Sequence, residues 1–249
     1  MIRMGFKRPE CLTKESMHYC PGCGHGIIHR LIAEVIDEDY KENKIIGVAP
    51  VGCAVFIYDY FNFDFVAAAH GRATAAATGV KRSIPDALVF SYQGDGDIAA
   101  IGTSEVIHAA TRGENFTAIF VNNGVYAMTG GQMAPTTIPG QVTVSSPYGR
   151  DPKVQGYHIK LCEMLVPLDG VAFVARTSIH NLKNIEFTKK AIKRAFEVQM
   201  NNEGFSIIEV LSNCPTNWGL SPCESMKRIE NEVLKYYSLG IFKDKGRGI

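Results

Sequence analysis

Leu88-Val89-Phe90-Ser91-Tyr92-Gln93-Gly94-Asp95-Gly96-Asp97 is the stretch on which the fold turns. Residues 88–92 form an apolar run of strand length, and it leads directly into a Gly-Asp-Gly-Asp turn. A helical stretch, 98–112, comes next, then a second apolar run, 118–121, that ends at Asn122-Asn123. Strand, helix and strand in that order imply a right-handed crossover, which makes the two strands parallel neighbours or near-neighbours. Runs that are apolar throughout, rather than alternating, are buried on both faces, as in a parallel sheet.

The pattern repeats on either side. Further short apolar or β-branched runs lie at 45–48, 65–68, 171–175 and Phe205–Leu211. Between them fall helical stretches at 27–41, 72–81 and 182–201; the first places Ile28, Leu31, Ile32, Val35 and Ile36 at helical spacing. The expected fold is a single α/β domain over 1–249: a doubly wound, mostly parallel sheet with helices on both faces. Residues 128–157, rich in Gly, Pro and Thr, are too long for an ordinary connection and read as a functional loop. Past Ser221 a last helix is expected, followed by a Gly/Lys-rich tail, 243–249, that frays.

With 249 residues, 46% of them hydrophobic, the chain can build one large core or two small ones. A net charge of +1 gives no general attraction to nucleic acid or to an anionic membrane. No run approaches the roughly 20 apolar residues of a membrane helix. Residues 1–16 are mixed polar, so no secretory signal is expected and the cytoplasm is the default compartment. The 7 cysteines are odd in number, which favours metal, cluster or core thiols over disulfides.

Asp95 and Asn123 each follow a strand, so both side chains are expected at the carboxyl edge of the sheet, where such folds bind ligands. A carboxylate with an amide oxygen suits magnesium, which commonly completes its shell with phosphate oxygens. Gly94 and Gly96 let the backbone approach a diphosphate, and the helix that begins there favours an anion. The turn after Asn123 folds back, which makes the Val125 carbonyl a third candidate ligand. Gly-Asp-Gly and Asn-Asn-Gly are each common turns by themselves. Their pairing at two strand ends favours the functional reading.

Cys20 and Cys23 form a Cys-x-x-Cys pair framed by Gly22, Gly24 and Gly26, while Cys53 and Cys214 each follow a strand-like run. Four thiolates suit an iron–sulfur cluster or zinc; a redox pair would use only the first two. Cys11, Cys162 and Cys223 read as ordinary thiols.

Tyr19-Cys20-Pro21-Gly22-Cys23-Gly24-His25-Gly26, His70-Gly71-Arg72-Ala73, Gly94-Asp95-Gly96-Asp97, the run from Asn122 to Gln132, and Cys214-Pro215-Thr216-Asn217-Trp218-Gly219 occur in that order. Together they resemble the β subunit of 2-oxoacid:ferredoxin oxidoreductases, from about Cys20 to the tail. The resemblance implies oxidative decarboxylation of a 2-oxoacid to an acyl-CoA and CO2, with electrons leaving for ferredoxin. It implies a [4Fe-4S] cluster on Cys20, Cys23, Cys53 and Cys214, within a cluster-binding segment at about 11–26. It implies magnesium on Asp95, Asn123 and the Val125 carbonyl. Thiamine diphosphate contacts would be Gly52, Cys53, His70, Gly96, Asp97, Ala127 and Met128. Many relatives of this type carry Gly at Ala127. Thr103-Ser104-Glu105 replaces the Gly-Asn-His of a large branch, and with it a branched-chain 2-oxoacid is the first expectation, 2-oxoglutarate the second. The alternative is a non-redox thiamine-dependent lyase subunit with structural zinc.

Thiamine enzymes activate the cofactor with a glutamate on a separate pyrimidine-binding domain, so the resemblance also implies an α subunit as partner. Among single residues, His70 is expected to serve the site, His25 to cap a helix, and His108 to be a packed or surface residue of a helix. Arg72 and Lys81 read as solvated charge, with a substrate carboxylate as the alternative partner. Trp218 either shields the cluster or fills core.

Overall fold

The computed structural model describes residues 7–248; the expectations for residues 1–6 and for Ile249 lie outside them. Among the described residues nine strands form: β1 Ile45–Ala49, β2 Asp64–Ala67, β3 Leu88–Gly94, β4 Thr117–Asn122, β5 Val125–Tyr126, β6 Gln132–Met133, β7 Val171–Ser178, β8 Phe205–Leu211 and β9 Gly240–Asp244. Seven of them make one sheet in the order β2-β1-β3-β4-β8-β7-β9. Every pair in it is parallel except β7–β9.

The apolar runs explain this arrangement. β3, β4, β7 and β8 are buried almost end to end, so their side chains feed two cores in alternation. Leu88, Phe90 and Tyr92 of β3 face one core with Ile119, Val121, Ile208 and Val210. On that side lie α1 (His25–Val35) and α6 (Leu182–Met200). Val89, Ala118, Phe120 and Ile207 face the opposite core. It is covered by α2 (Ala73–Ser83), α3 (Thr103–Arg112) and α5 (Leu161–Leu165). Burying each such large apolar side chain stabilises by about 1.5–3 kcal/mol. Two shorter helices, α4 (Pro152–Gln155) and α7 (Pro215–Trp218), lie in the loops, and α8 (Pro222–Asn231) opens on a Ser221/Glu224 capping box.

Three expectations need correction. The 98–112 helix is two pieces: a π-helical turn, Asp97–Ile101, and then α3, parted at Gly102. A Cβ on Gly102 would sit 2.6 Å from the Asp97 carbonyl and 2.7 Å from that of Gly71, so the break is a close backbone crossing. The 27–41 helix likewise begins earlier, at His25, and loosens after Val35 into a π-helical turn, Ile36–Tyr40. The tail does not simply fray. β9 pairs antiparallel with β7, and the buried Asp244 takes a 2.7 Å ion pair from Arg194 of α6.

Neighbours β1 and β3 are wound in opposite directions, since β2 lies outside β1 and β4 lies beyond β3. A crevice at such a reversal, beyond the carboxyl ends of the strands, is where this architecture holds ligands.

Candidate cofactor site

The loops that leave β1, β2, β3 and β4 meet at this crevice and line one cavity. The β1 loop brings Gly52 and Cys53, and the β2 loop brings His70. The β3 turn brings Asp95, Gly96 and Asp97. The β4 loop brings Asn123, Val125, Ala127 and Met128. All the residues expected to hold thiamine diphosphate and magnesium therefore line a single space.

Asp97 holds the crevice together. Its Oδ2 accepts from His70 Nδ1 at 2.9 Å, from the Gly71 amide at 3.0 Å and from the Val51 amide at 3.3 Å. Its Oδ1 accepts from Gln93 at 2.6 Å. One buried carboxylate thus ties the loops of β1 and β2 to β3. His70 is aimed by this bond and is still partly exposed to the cavity.

Asp95 is buried and accepts from the amides of Gly96 and Gly124 and from the Thr136 hydroxyl at 2.7 Å. Burial pushes its carboxyl up to about 6, against the pull of those hydrogen bonds. The groups that pull it down are hydrogen-bond donors, Thr136 and the amides of Gly96, Gly124 and Asn123, and none of them is a cation. Asn123 Oδ1 accepts from the Val125 amide at 3.1 Å, which fixes the side chain and leaves a lone pair free. A buried carboxylate short of positive charge beside an oriented amide oxygen fits a hard cation. At Gly94 an added Cβ would meet nothing within 4 Å, while at Gly96 it would strike the Tyr126 ring at 2.2 Å. Gly96 is therefore needed for packing, and Gly94 opens onto free space.

The four cysteines also draw together. Asn213 donates to the Gly22 carbonyl at 2.9 Å, and an added Cβ on Gly24 would run into Ser212 and Ile179. The Cys-x-x-Cys loop is thus seated on the ends of β7 and β8. Burial pushes the Cys23 thiol up to about 11 and that of Cys53 up to about 12. Each is pushed further by the other thiols: Cys214 and Cys20 act on Cys23, and Cys214, Cys23 and Cys20 act on Cys53. The amides of His25 and Gly24 point at Cys23, and Asn217 donates to Cys214 at 3.3 Å. No three His, Cys, Asp or Glu side chains among the described residues are gathered tightly enough to hold a single metal ion. The thiols sense one another without collapsing onto one point, and N–H groups aim at two of them. Four thiols with such donors suit an iron–sulfur cluster or zinc.

Helix α7 joins the two regions. Asn217 bonds both Cys214 and the Ala127 carbonyl, and the Trp218 indole donates to the Asn123 carbonyl at 3.1 Å. Trp218 packs against the small core of Ile138, Leu211, Ile229 and Tyr237. It also carries the Arg228 guanidinium on its ring, 4.7 Å from the centroid.

Several functional positions carried no sequence signal. Thr136 reaches Asp95 from within the long loop, and Arg150 pins that loop by donating to the carbonyls of Pro135, Thr137, Gly156 and Tyr157. Only the loop's length hinted at them. Lys81 faces neither solvent nor substrate: it is buried and donates to the Ala87 carbonyl. Arg72 pairs with Glu105 at 2.5 Å, and His108 lies on α3 as an exposed surface residue. His25 lines the cavity instead of serving only as a helix start.

Fold and crevice define a thiamine pyrophosphate-binding α/β domain, and residues 50–210 match the family model described as the thiamine pyrophosphate enzyme C-terminal TPP-binding domain. The ketoisovalerate oxidoreductase subunit VorA of Methanothermobacter thermautotrophicus is 47% identical over 240 residues, covering 96% of this chain and 50% of that protein. The 2-oxoglutarate synthase subunit KorB of Archaeoglobus fulgidus is 35% identical over 212 residues, covering 85% and 75%. The solved 2-oxoglutarate:ferredoxin oxidoreductase of Magnetococcus marinus, with 2-oxoglutarate, coenzyme A and succinyl-CoA bound, shares the fold. Its TM-score is 0.81 at 23% identity, covering 97% of this chain and 86% of that one. The chain belongs to the 2-oxoacid:ferredoxin oxidoreductase β subunit family of these VorA and KorB relatives. It spans about half the length of the VorA subunits it matches.

Proposed function

We propose that this chain is the thiamine diphosphate- and cluster-binding part of an oxidoreductase that decarboxylates a 2-oxoacid to an acyl-CoA and passes electrons to ferredoxin. The observation that carries the reading is Cys53. It lines the same cavity as Asp95 and Asn123, and its thiol is coupled to Cys20, Cys23 and Cys214.

Asp95, Asn123 and the Val125 carbonyl hold magnesium in this reading. Gly52, Cys53, His70, Gly96, Asp97, Ala127 and Met128 receive thiamine diphosphate, and the four cysteines receive a [4Fe-4S] cluster. Bound there, thiamine diphosphate supplies an electron sink for decarboxylation, and the cluster supplies an acceptor for single electrons. The chain's own residues orient rather than react. Asp97 aims His70, and Trp218 and Asn217 fix the β4 loop against the last cysteine.

The identity to VorA favours a branched-chain 2-oxoacid, with 2-oxoglutarate second on the strength of KorB. Residues 1–249 act as one domain, with residues 11–26 serving the cluster and the segment from Ser221 closing the sheet edge. An α subunit, coenzyme A and ferredoxin are the partners. Cysteines that are all free suit the reducing cytoplasm. No helix among the described residues is long and apolar enough to cross a membrane.

The test is anaerobic purification followed by metal analysis and calorimetry with thiamine diphosphate and Mg2+, then rates on a panel of 2-oxoacids. A brown iron protein that binds the cofactor and prefers ketoisovalerate is expected. A colourless zinc protein overturns the redox reading, and absent cofactor binding overturns the whole of it.

A further inference from the structure

His25 lines the cavity beside Cys53 and Asp95, yet neither cofactor signature assigns it a part. Its side chain is only 4% exposed, and its Nδ1 lies 2.6 Å from the Tyr92 hydroxyl. Tyr92 stands on β3, fully buried, and its hydroxyl has no other hydrogen-bond partner among the described residues. A buried phenol without an acceptor is costly, so Tyr92 donates and Nδ1 accepts. The ring proton of the neutral imidazole is thereby assigned to Nε2. Nε2 makes no hydrogen bond to a described residue, nor is it among the buried atoms sealed off without a partner. Its edge opens to the cavity that the ring lines. Tyr19 stacks on the ring with centroids 4.6 Å apart and planes at 21°, so the free N–H has a fixed aim.

We propose that His25 Nε2–H donates a hydrogen bond to an anionic oxygen of the ligand in this cavity, with Tyr92 as the positioning residue that sets the tautomer. The inference rests on the thiamine diphosphate reading of the cavity. The oxygen has two possible sources: the cofactor's diphosphate, or the 2-oxoacid.

The experiment titrates the purified protein, with any co-purifying subunits, with thiamine diphosphate and Mg2+, and follows calorimetric heat and Trp218 fluorescence. Wild type, His25→Phe and His25→Gln are compared, and KM and kcat are measured with ketoisovalerate. If the diphosphate is the acceptor, His25→Phe weakens cofactor binding about tenfold or more, and His25→Gln, which restores an N–H, stays within about threefold of wild type. If the 2-oxoacid is the acceptor, cofactor binding holds while KM rises about tenfold in the Phe variant and recovers in the Gln variant. A Phe variant within about twofold of wild type on both measures overturns the proposal. If circular dichroism shows that His25→Phe does not fold, His25→Met, flexible and without a donor, takes its place under the same criteria. Failure of the thiamine diphosphate reading is separately visible, because wild type itself then binds no cofactor, and the proposal falls with it.

Discussion

Asp95 is an ionisable group held at a cost within the crevice. Its carboxyl, ordinarily at 3.8, is pushed up to about 6 by complete burial. In the unfolded chain it ionises near 4, and in the folded chain near 6. Below about pH 4 both states bind the proton and no penalty arises. Between 4 and 6 the unfolded state ionises first, and above 6 the full penalty stands, about 3 kcal/mol. We therefore expect Asp95→Asn to stabilise the cofactor-free protein at pH 7 by about 2–3 kcal/mol, with the gain vanishing toward pH 4. Chemical denaturation across that pH range measures it. The same substitution should weaken magnesium-dependent cofactor binding at pH 7 by at least about 100-fold, because a charged ligand is lost. A carboxylate kept costly in the empty state and needed in the loaded one marks a position held for ligand rather than for stability.

The strands and helices that carry the crevice are set by burial, and one ion pair under the site shows how closely. Arg176 on β7 is fully buried; its Nε donates to Glu209 of β8 at 2.7 Å, and its other nitrogens reach Glu163 of α5. Glu209 also accepts from Asn122 at 2.7 Å, next to Asn123. Arg176→Met should cost about 3–5 kcal/mol, since it leaves Glu209 charged and unpaired, and Arg176→Met with Glu209→Gln should recover part of that. Urea denaturation of both variants decides it. None of this pairing was legible in the sequence, because it joins residues distant along the chain on neighbouring strands. The strands themselves were: 88–92, 118–121, 171–175 and Phe205–Leu211 are apolar throughout, and that alone marks a parallel sheet. β9 escaped notice because an edge strand is only half covered, and Gly240–Asp244 mixes polar and apolar residues. Asp95 and Asn123 were readable because they sit one step past a strand end, and Cys53 because it closely follows one, whereas Thr136 and Arg150 sit in a loop whose path only tertiary hydrogen bonds define.

At the scale of the molecule, the cavity has a rim that suits a second protein surface. Val51 and Met128 line the crevice at 38% and 53% exposure, and Ile101, beside Gly71 of the β2 loop, and Val142, Val144 and Tyr148 of the long loop are also exposed. Apolar groups gathered at a cleft mouth, rather than scattered singly, mark a contact face. The VorA subunits are about twice as long as the stretch they share with this chain, so their remaining half is a place to look for what covers such a face. A thiamine site open to water on this side would lose orientation and let reactive species escape. We predict that the chain by itself binds thiamine diphosphate but oxidises ketoisovalerate at least about 100-fold more slowly than the assembly with its partner chain. Dye reduction under anaerobic conditions, with and without the partner, measures the ratio. Lysine at Ile101 should lower the activity of the mixture by blocking assembly, and sedimentation separates that loss from a damaged cofactor site, because calorimetry on the isolated variant remains unchanged. Full turnover by the isolated chain would mean that its own loops close the crevice, and the apolar rim would then need a different occupant.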